Sequence, residues 1–108
     1  MASGILGSSD LSSGANTTVY EVPADTYSVV TVAFCNRSSS TAALRLSVGT
    51  SDTPGAQDYL EYDTSLGPNG VLERTGIVAD ATKKLVVRSS IAGVTAMVMG
   101  IETAVPAS

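Results

Sequence analysis

The sequence predicts an all-β fold: an antiparallel β-sandwich of jelly-roll or immunoglobulin-like type, with seven or eight strands and an extended N-terminal arm. Three observations carry that prediction. Val, Leu, Ile, Thr and Tyr recur in short runs with a period of two, the signature of strands half-buried on a sheet. Clusters of Gly, Pro, Asn, Asp and Ser separate the runs at regular spacing, as in sandwiches and barrels. No window sustains a helical period, and the Thr, Val, Ser and Gly content opposes helix.

The elements follow in order. Residues 1–15 are Gly- and Ser-rich with isolated Ile5, Leu6 and Leu11 and hold no period; they are expected to form a flexible or docking arm. The sandwich domain is expected over 16–103, and 104–108 form a short tail. Residues 17–22 (TTVYEV) are β-branched and aromatic, and Pro23 ends the run by removing a ladder donor. Residues 27–36 form the clearest strand. Val30, Val32 and Phe34 share one face and Val29, Thr31, Ala33 and Cys35 the other, so this strand is expected to be central and covered on both sides. Residues 36–40 (NRSSS) read as a turn. Residues 41–48 alternate, with Leu44, Leu46 and Val48 inward and Ala43, Arg45 and Ser47 outward. Asp52-Thr53-Pro54-Gly55 and Gly67-Pro68-Asn69-Gly70 are tight-turn sequences. Between them, residues 58–65 place Leu60 and Tyr62 on one face and Tyr59, Glu61 and Asp63 on the other. Residues 71–78, 83–89 and 94–101 supply the remaining strands.

Composition narrows the function. The chain has 108 residues, one domain's worth, and 44% are apolar. It is long enough to bury a core without disulfides or metal. Aromatics are limited to Phe34, Tyr20, Tyr27, Tyr59 and Tyr62, so aliphatic side chains must build that core. Only 15% of residues are charged, against about a quarter in ordinary domains, and 27 are Ser or Thr. A surface of short hydroxyl side chains loses little rotamer entropy when a partner covers it. The net charge of −4 and the absence of a basic cluster beyond Lys83-Lys84 argue against nucleic acid and against anionic membrane as partners. The opening residues carry no charged n-region with a long apolar run, which predicts synthesis in a cytoplasm without an export signal. No stretch reaches the ~20 apolar residues of a membrane span.

Chemistry-bearing residues are few. The chain has no histidine, which removes Ser-His-Asp and Cys-His catalysis and His-based metal sites. Cys35, the single cysteine, ends an apolar strand and is expected to be buried and inert. Lys83 and Lys84 lie side by side at a turn, where exposure is expected. Asp58, Glu61, Asp63 and Glu73 form the one acidic group. Glu61 and Asp63, two residues apart on a strand face, stand about 7 Å apart. That separation suits an inverting glycosidase, but the aromatic-lined cleft such an enzyme needs is missing from the composition. Calcium held by Asp58 and Asp63 matches no known loop spacing. The plainer expectation is a polar face in which Arg74 or Arg88 pairs across strands. The sequence therefore predicts a non-enzymatic protein with no catalytic, cofactor or metal residues. Asn16-Thr17-Thr18 and Asn36-Arg37-Ser38 match the glycosylation pattern only as chance allows in so Ser/Thr-rich a chain.

The run "DYLEYDTSLGPNGVLERTGIVADATKKLVVRSS", residues 58–90, resembles a segment of small virion structural proteins of tailed bacteriophages, cyanophages especially. Upstream, "NTTVYEVPADTYSVVTVAFCNRSSSTAALRLSV" looks like the opening half of the same family, and "VMGIE" like its closing strand. The resemblance spans residues 16–102 and is one of pattern; the family has no agreed catalytic residues to carry over. It implies a virion component that trimerises, located in the virion after synthesis in the host cytoplasm, with the major capsid or tail protein as partner. The expected function is decoration or cementing of a capsid or tail through protein–protein contacts, by one sheet face and by an arm adding as a strand to a partner's edge. The alternative is a receptor-binding fibre module holding a glycan or surface protein, with Tyr59 and Tyr62 as ligand-loop residues. Ile5, Leu6 and Leu11 of the arm, and Val29, Val71 and Ile77 as outward apolar residues, are the expected interface.

Overall fold

The computed structural model describes residues 3–105; residues 1–2 and 106–108 of the expected arm and tail lie outside the described residues. Eight strands form: β1 (Ser3–Leu11), β2 (Thr17–Glu21), β3 (Thr26–Asn36), β4 (Ala42–Gly49), β5 (Tyr59–Leu66), β6 (Val71–Ala79), β7 (Lys84–Ser89) and β8 (Val94–Ala104). A 3-10 turn, Ala56–Asp58, precedes β5. Two four-stranded antiparallel sheets result, with orders β1-β8-β3-β6 and β2-β7-β4-β5. First pairs with last, second with seventh, third with sixth and fourth with fifth. That nested pairing of eight strands in two sheets is a jelly roll, the first of the two sandwich types the sequence allowed.

The core lies between the sheets and is aliphatic, as the scarcity of aromatics required. Val30, Val32 and Phe34 of β3 and Val94, Ala96 and Val98 of β8 face Leu44 and Leu46 of β4 and Leu85 and Val87 of β7. These four strands are central, and their mutual registers run without a shift. Tyr20, from β2, is the polar link between layers: its hydroxyl bonds Ser28 Oγ at 2.7 Å and donates to Glu102. Asn36, fully buried at the end of β3, organises two turns. Its Nδ2 reaches the carbonyls of Ser40, Leu66 and Gly67, and its Oδ1 accepts from Ser38 N–H and Oγ–H. The Gly67-to-Gly70 turn closes with a Gly70 N–H to Gly67 carbonyl bond at 3.0 Å and Asn69 at φ +59°, as Pro-Asn turns do. It carries the chain from one sheet to the other.

The expected arm is instead a strand. Residues 3–11 pair with β8 along its whole length, from Ser3↔Ile101 to Leu11↔Val94, and Leu11, at 2% exposure, is core. Alternation was illegible there because Leu6 bulges out of register between Ile5 and Gly7. Gly7 is required because a Cβ would meet the Val19 carbonyl oxygen at 2.1 Å, where β1 crosses β2.

Bulges mark all four edge strands: Leu6 in β1, Val19 in β2, residues 60 and 62–63 in β5, and residues 75–76 in β6. Each bulge bends and twists an edge away from the flat geometry that would accept another strand. The sheet faces, not the sheet edges, are therefore the surfaces suited to contact.

Candidate functional site

The outer face of the β1-β8-β3-β6 sheet is built by strand parity. With the core taking Val30, Val32 and Phe34, period two sends Tyr27, Val29, Thr31, Ala33 and Cys35 outward. Register places Ile101 and Val78 on either side of Val29, Met99 beside Thr31, and Ile5 beyond Met99. Ile5, Tyr27, Val29, Val78 and Ile101 are all large and exposed, with Val78 at 68%. Among the outward side chains of these strands only Asp10 and Glu73 are charged. Arg37 pairs with Asp10 and donates to Thr95 Oγ1 at 2.9 Å, forming a polar rim at that end.

Of the residues the sequence assigned to an interface, Ile5, Val29 and Val71 are exposed on this face, and Leu6 packs partly against the core. Leu11 and Ile77 are corrections: both are buried in the core, Ile77 at 6% exposure. The cause for Ile77 is the bulge at Thr75-Gly76, with Gly76 at φ +70°. The extra residue reverses parity, turning Ile77 inward and leaving Val78 outward. Cys35 is also a correction. It is exposed, because it shares parity with Val29 and, among the described residues, no element covers that face. For the same reason β3 is central within its sheet but covered on one side only.

The outer face of the β2-β7-β4-β5 sheet carries a different chemistry. Residues 62 and 63 both oppose Arg45, since the register steps from Leu44↔Thr64 to Leu46↔Glu61. Asp63 takes φ +51° to do this. The bulge aims Tyr62 and Asp63 at one guanidinium. Arg45 Nε and Nη2 donate to Asp63 Oδ1 and Oδ2 at 2.6 and 3.2 Å, and its guanidinium carbon lies 4.1 Å from the Tyr62 ring centre. Tyr59 meets Tyr62 edge-on with ring centres 4.9 Å apart. The Arg45 hydrogen bond holds the Asp63 carboxyl below the usual carboxylate range, with the Arg88 charge adding a smaller push in the same direction. The expected split of Tyr59 from Tyr62 is thus overturned: the irregular strand puts the two together.

The acidic pair separates. Glu61 turns toward the gap between the sheets, where it accepts from Arg74 Nη1 at 2.6 Å and Thr64 Oγ1 at 2.8 Å. Asp63 points the other way, to Arg45. Asp58 caps its own turn by accepting the Gly55 N–H at 2.9 Å. The carboxylates serve three different partners, and among the described residues no three His, Cys, Asp or Glu side chains are grouped to hold a metal ion. Lys83 stands 4.0 Å from Asp80. The sequence offers Arg74 or Arg88 as the partner of this acidic group; Arg74 is the one that pairs, with Glu61, and Arg45 pairs with Asp63.

Fold and surface together define a jelly-roll domain with one open apolar sheet face and, on the opposite sheet, an arginine-lined cleft. Comparison with family models, with curated proteins and with solved structures found no match.

Proposed function

We propose that this chain is a structural module that binds other protein chains, a virion component that decorates or cements a capsid or tail through the outer face of the β1-β8-β3-β6 sheet. The observation that carries the reading is the contiguous row Ile101–Val29–Val78, flanked by Ile5, Met99 and Tyr27, with no charge among them. Four strands spaced ~4.8 Å apart, about eight residues long at ~3.3 Å each, give a face of roughly 500 Å². Two such faces stacked bury about 1,000 Å², the lower bound for a specific protein–protein contact. A contact of that size is weak between two free molecules and effective when a symmetric scaffold repeats it. The bulged edges favour face contact over strand addition. The resemblance of residues 16–102 to phage virion proteins supports the setting; the fold supports it only by analogy, since jelly rolls serve capsids and lectins alike.

Quantitative protein analysis of purified particles tests the proposal. Many copies per particle are expected, together with loss of incorporation when Val29 and Ile101 are both replaced by Lys. A chain that is absent from particles, or incorporation that is indifferent to those substitutions, would refute it.

A further inference from the structure

Arg45 and Arg88 are direct cross-strand neighbours on the outer face of the β2-β7-β4-β5 sheet. Like charges placed opposite each other cost stability, and Ser or Thr fill most other polar positions of this chain. Asp63 forms hydrogen bonds with Arg45 and meets Arg88 only through the weaker attraction of charge. Among the described residues the Arg88 side chain makes no hydrogen bond, and its Nε is buried without an acceptor. Two of the chain's six Lys and Arg residues are thus placed side by side, and the fold gives a hydrogen-bonded partner to Arg45 alone of the two. They line a cleft of about 300 Å³ with Ala43, Asp63 and Ser90. Gly14, at φ +70°, lies beside Arg88, and a Cβ there would stand 3.8 Å from Nη2.

The polar groups are of mixed sense. Arg88 offers unused donors, and Arg45 keeps Nη1 free of Asp63. The planar fork of arginine matches a carboxylate. Asp63 uses one lone pair on each oxygen for Arg45 and retains others to accept from hydroxyl groups. Ser90 Oγ accepts the Ala43 N–H at 2.9 Å, which leaves its own proton to donate. A bare carboxylate satisfies the arginines but brings no donor to Asp63; a neutral sugar does the reverse. We propose that this cleft binds a sugar acid, its carboxylate on Arg88 and Arg45 and its hydroxyls on Asp63 and Ser90. The volume lies at the lower end of the ~300–1,000 Å³ range of ligand pockets and admits a single uronic-acid residue. The cleft lies on the sheet opposite the proposed docking face and stands whether or not that face is covered.

Titration of the intact chain, followed by amide NMR, tests the proposal with three probes: glucuronate, glucose and acetate. Saturable shifts at residues 43–45, 63 and 88–90 are expected with glucuronate, and at least tenfold weaker binding with each of the other two. Arg88→Gln should keep or raise the melting temperature, because it relieves the like-charge pair, and lower glucuronate affinity at least tenfold. Arg88→Lys, which keeps the charge but not the fork, should lower it several-fold and serves if Arg88→Gln folds poorly. No saturable glucuronate binding, acetate binding as tight as glucuronate, or a folded Arg88 variant with undiminished affinity would each overturn the assignment.

Discussion

Replacing Asn36 with Ala should be the most damaging single polar substitution in this domain. Its side chain is fully buried. The two Nδ2 protons serve three carbonyls, Ser40 at 2.8 Å, Leu66 at 3.0 Å and Gly67 at 3.2 Å, and Oδ1 accepts two bonds from Ser38 at 3.0 and 2.7 Å. Two donated and two accepted bonds at ~1 kcal/mol net each give about 4 kcal/mol, before any penalty for carbonyls left unpaired. Such domains have roughly 5–15 kcal/mol in all. Because the β3–β4 and β5–β6 connections both hang on this amide, the loss should be cooperative. Urea unfolding followed by circular dichroism measures it, and the melting temperature should fall by on the order of 15–25 °C. A loss under ~1 kcal/mol would refute the claim that Asn36 holds the two turns and would place their stability in the backbone alone.

Four further outcomes follow from the fold. Deleting residues 1–15 removes β1 and uncovers the β8 edge, so the truncated chain should lose cooperative unfolding altogether; Leu11→Ala alone should cost roughly 2–4 kcal/mol in urea denaturation. Burial, with the Glu102 hydrogen bond second, pushes the Tyr20 hydroxyl up to about 12. Its folded pKa exceeds its unfolded value, so the stability it contributes is present in full below pH ~10 and is lost as pH rises toward 12. Alkaline unfolding curves should show that loss, at most roughly 3 kcal/mol for two pKa units, and Tyr20→Phe should flatten it. Gly76→Ala meets no neighbouring atom but must adopt φ +70°, so a thermal melt should show a cost of only about 1 kcal/mol.

The regular strands were legible from the sequence, and the irregular ones were not. In β3 and over the first half of β4 and β8 the period of two survives, so Val30, Val32, Phe34, Leu44 and Leu46 announce both the strand and its buried face; it fails at Ser47, expected outward but buried, and at Val48, expected inward but half-buried. The edge strands each contain a bulge, and one extra residue reverses every assignment beyond it. Ile77 appeared to continue the outward row of Val71; Gly76 at φ +70° turned it inward. Tyr62 and Asp63 appeared to occupy opposite faces; the bulge against Arg45 brought both to one. In β1, Gly4, Gly7 and the Leu6 bulge left too few apolar residues to declare a strand at all. Gly76 was the one available signal, since an isolated glycine inside a strand pattern points to a bulge. The Arg45–Arg88 opposition had no signal of its own: it depends on β4 pairing with β7, two strands far apart in the chain.

The central claim is that the outer face around Val29 meets another protein surface. Sedimentation velocity across a wide concentration range, with Cys35 thiol reactivity measured in the same samples, tests it most directly, because Cys35 is exposed on that face. Reversible association with progressive shielding of the thiol is expected for the natural chain, and a monomer of unchanged stability with an open thiol for the Val29→Lys, Ile101→Lys variant. A natural chain that remains monomeric at the highest concentration, its thiol as reactive as in dilute solution, and that fails to protect Cys35 on purified particles, would contradict it.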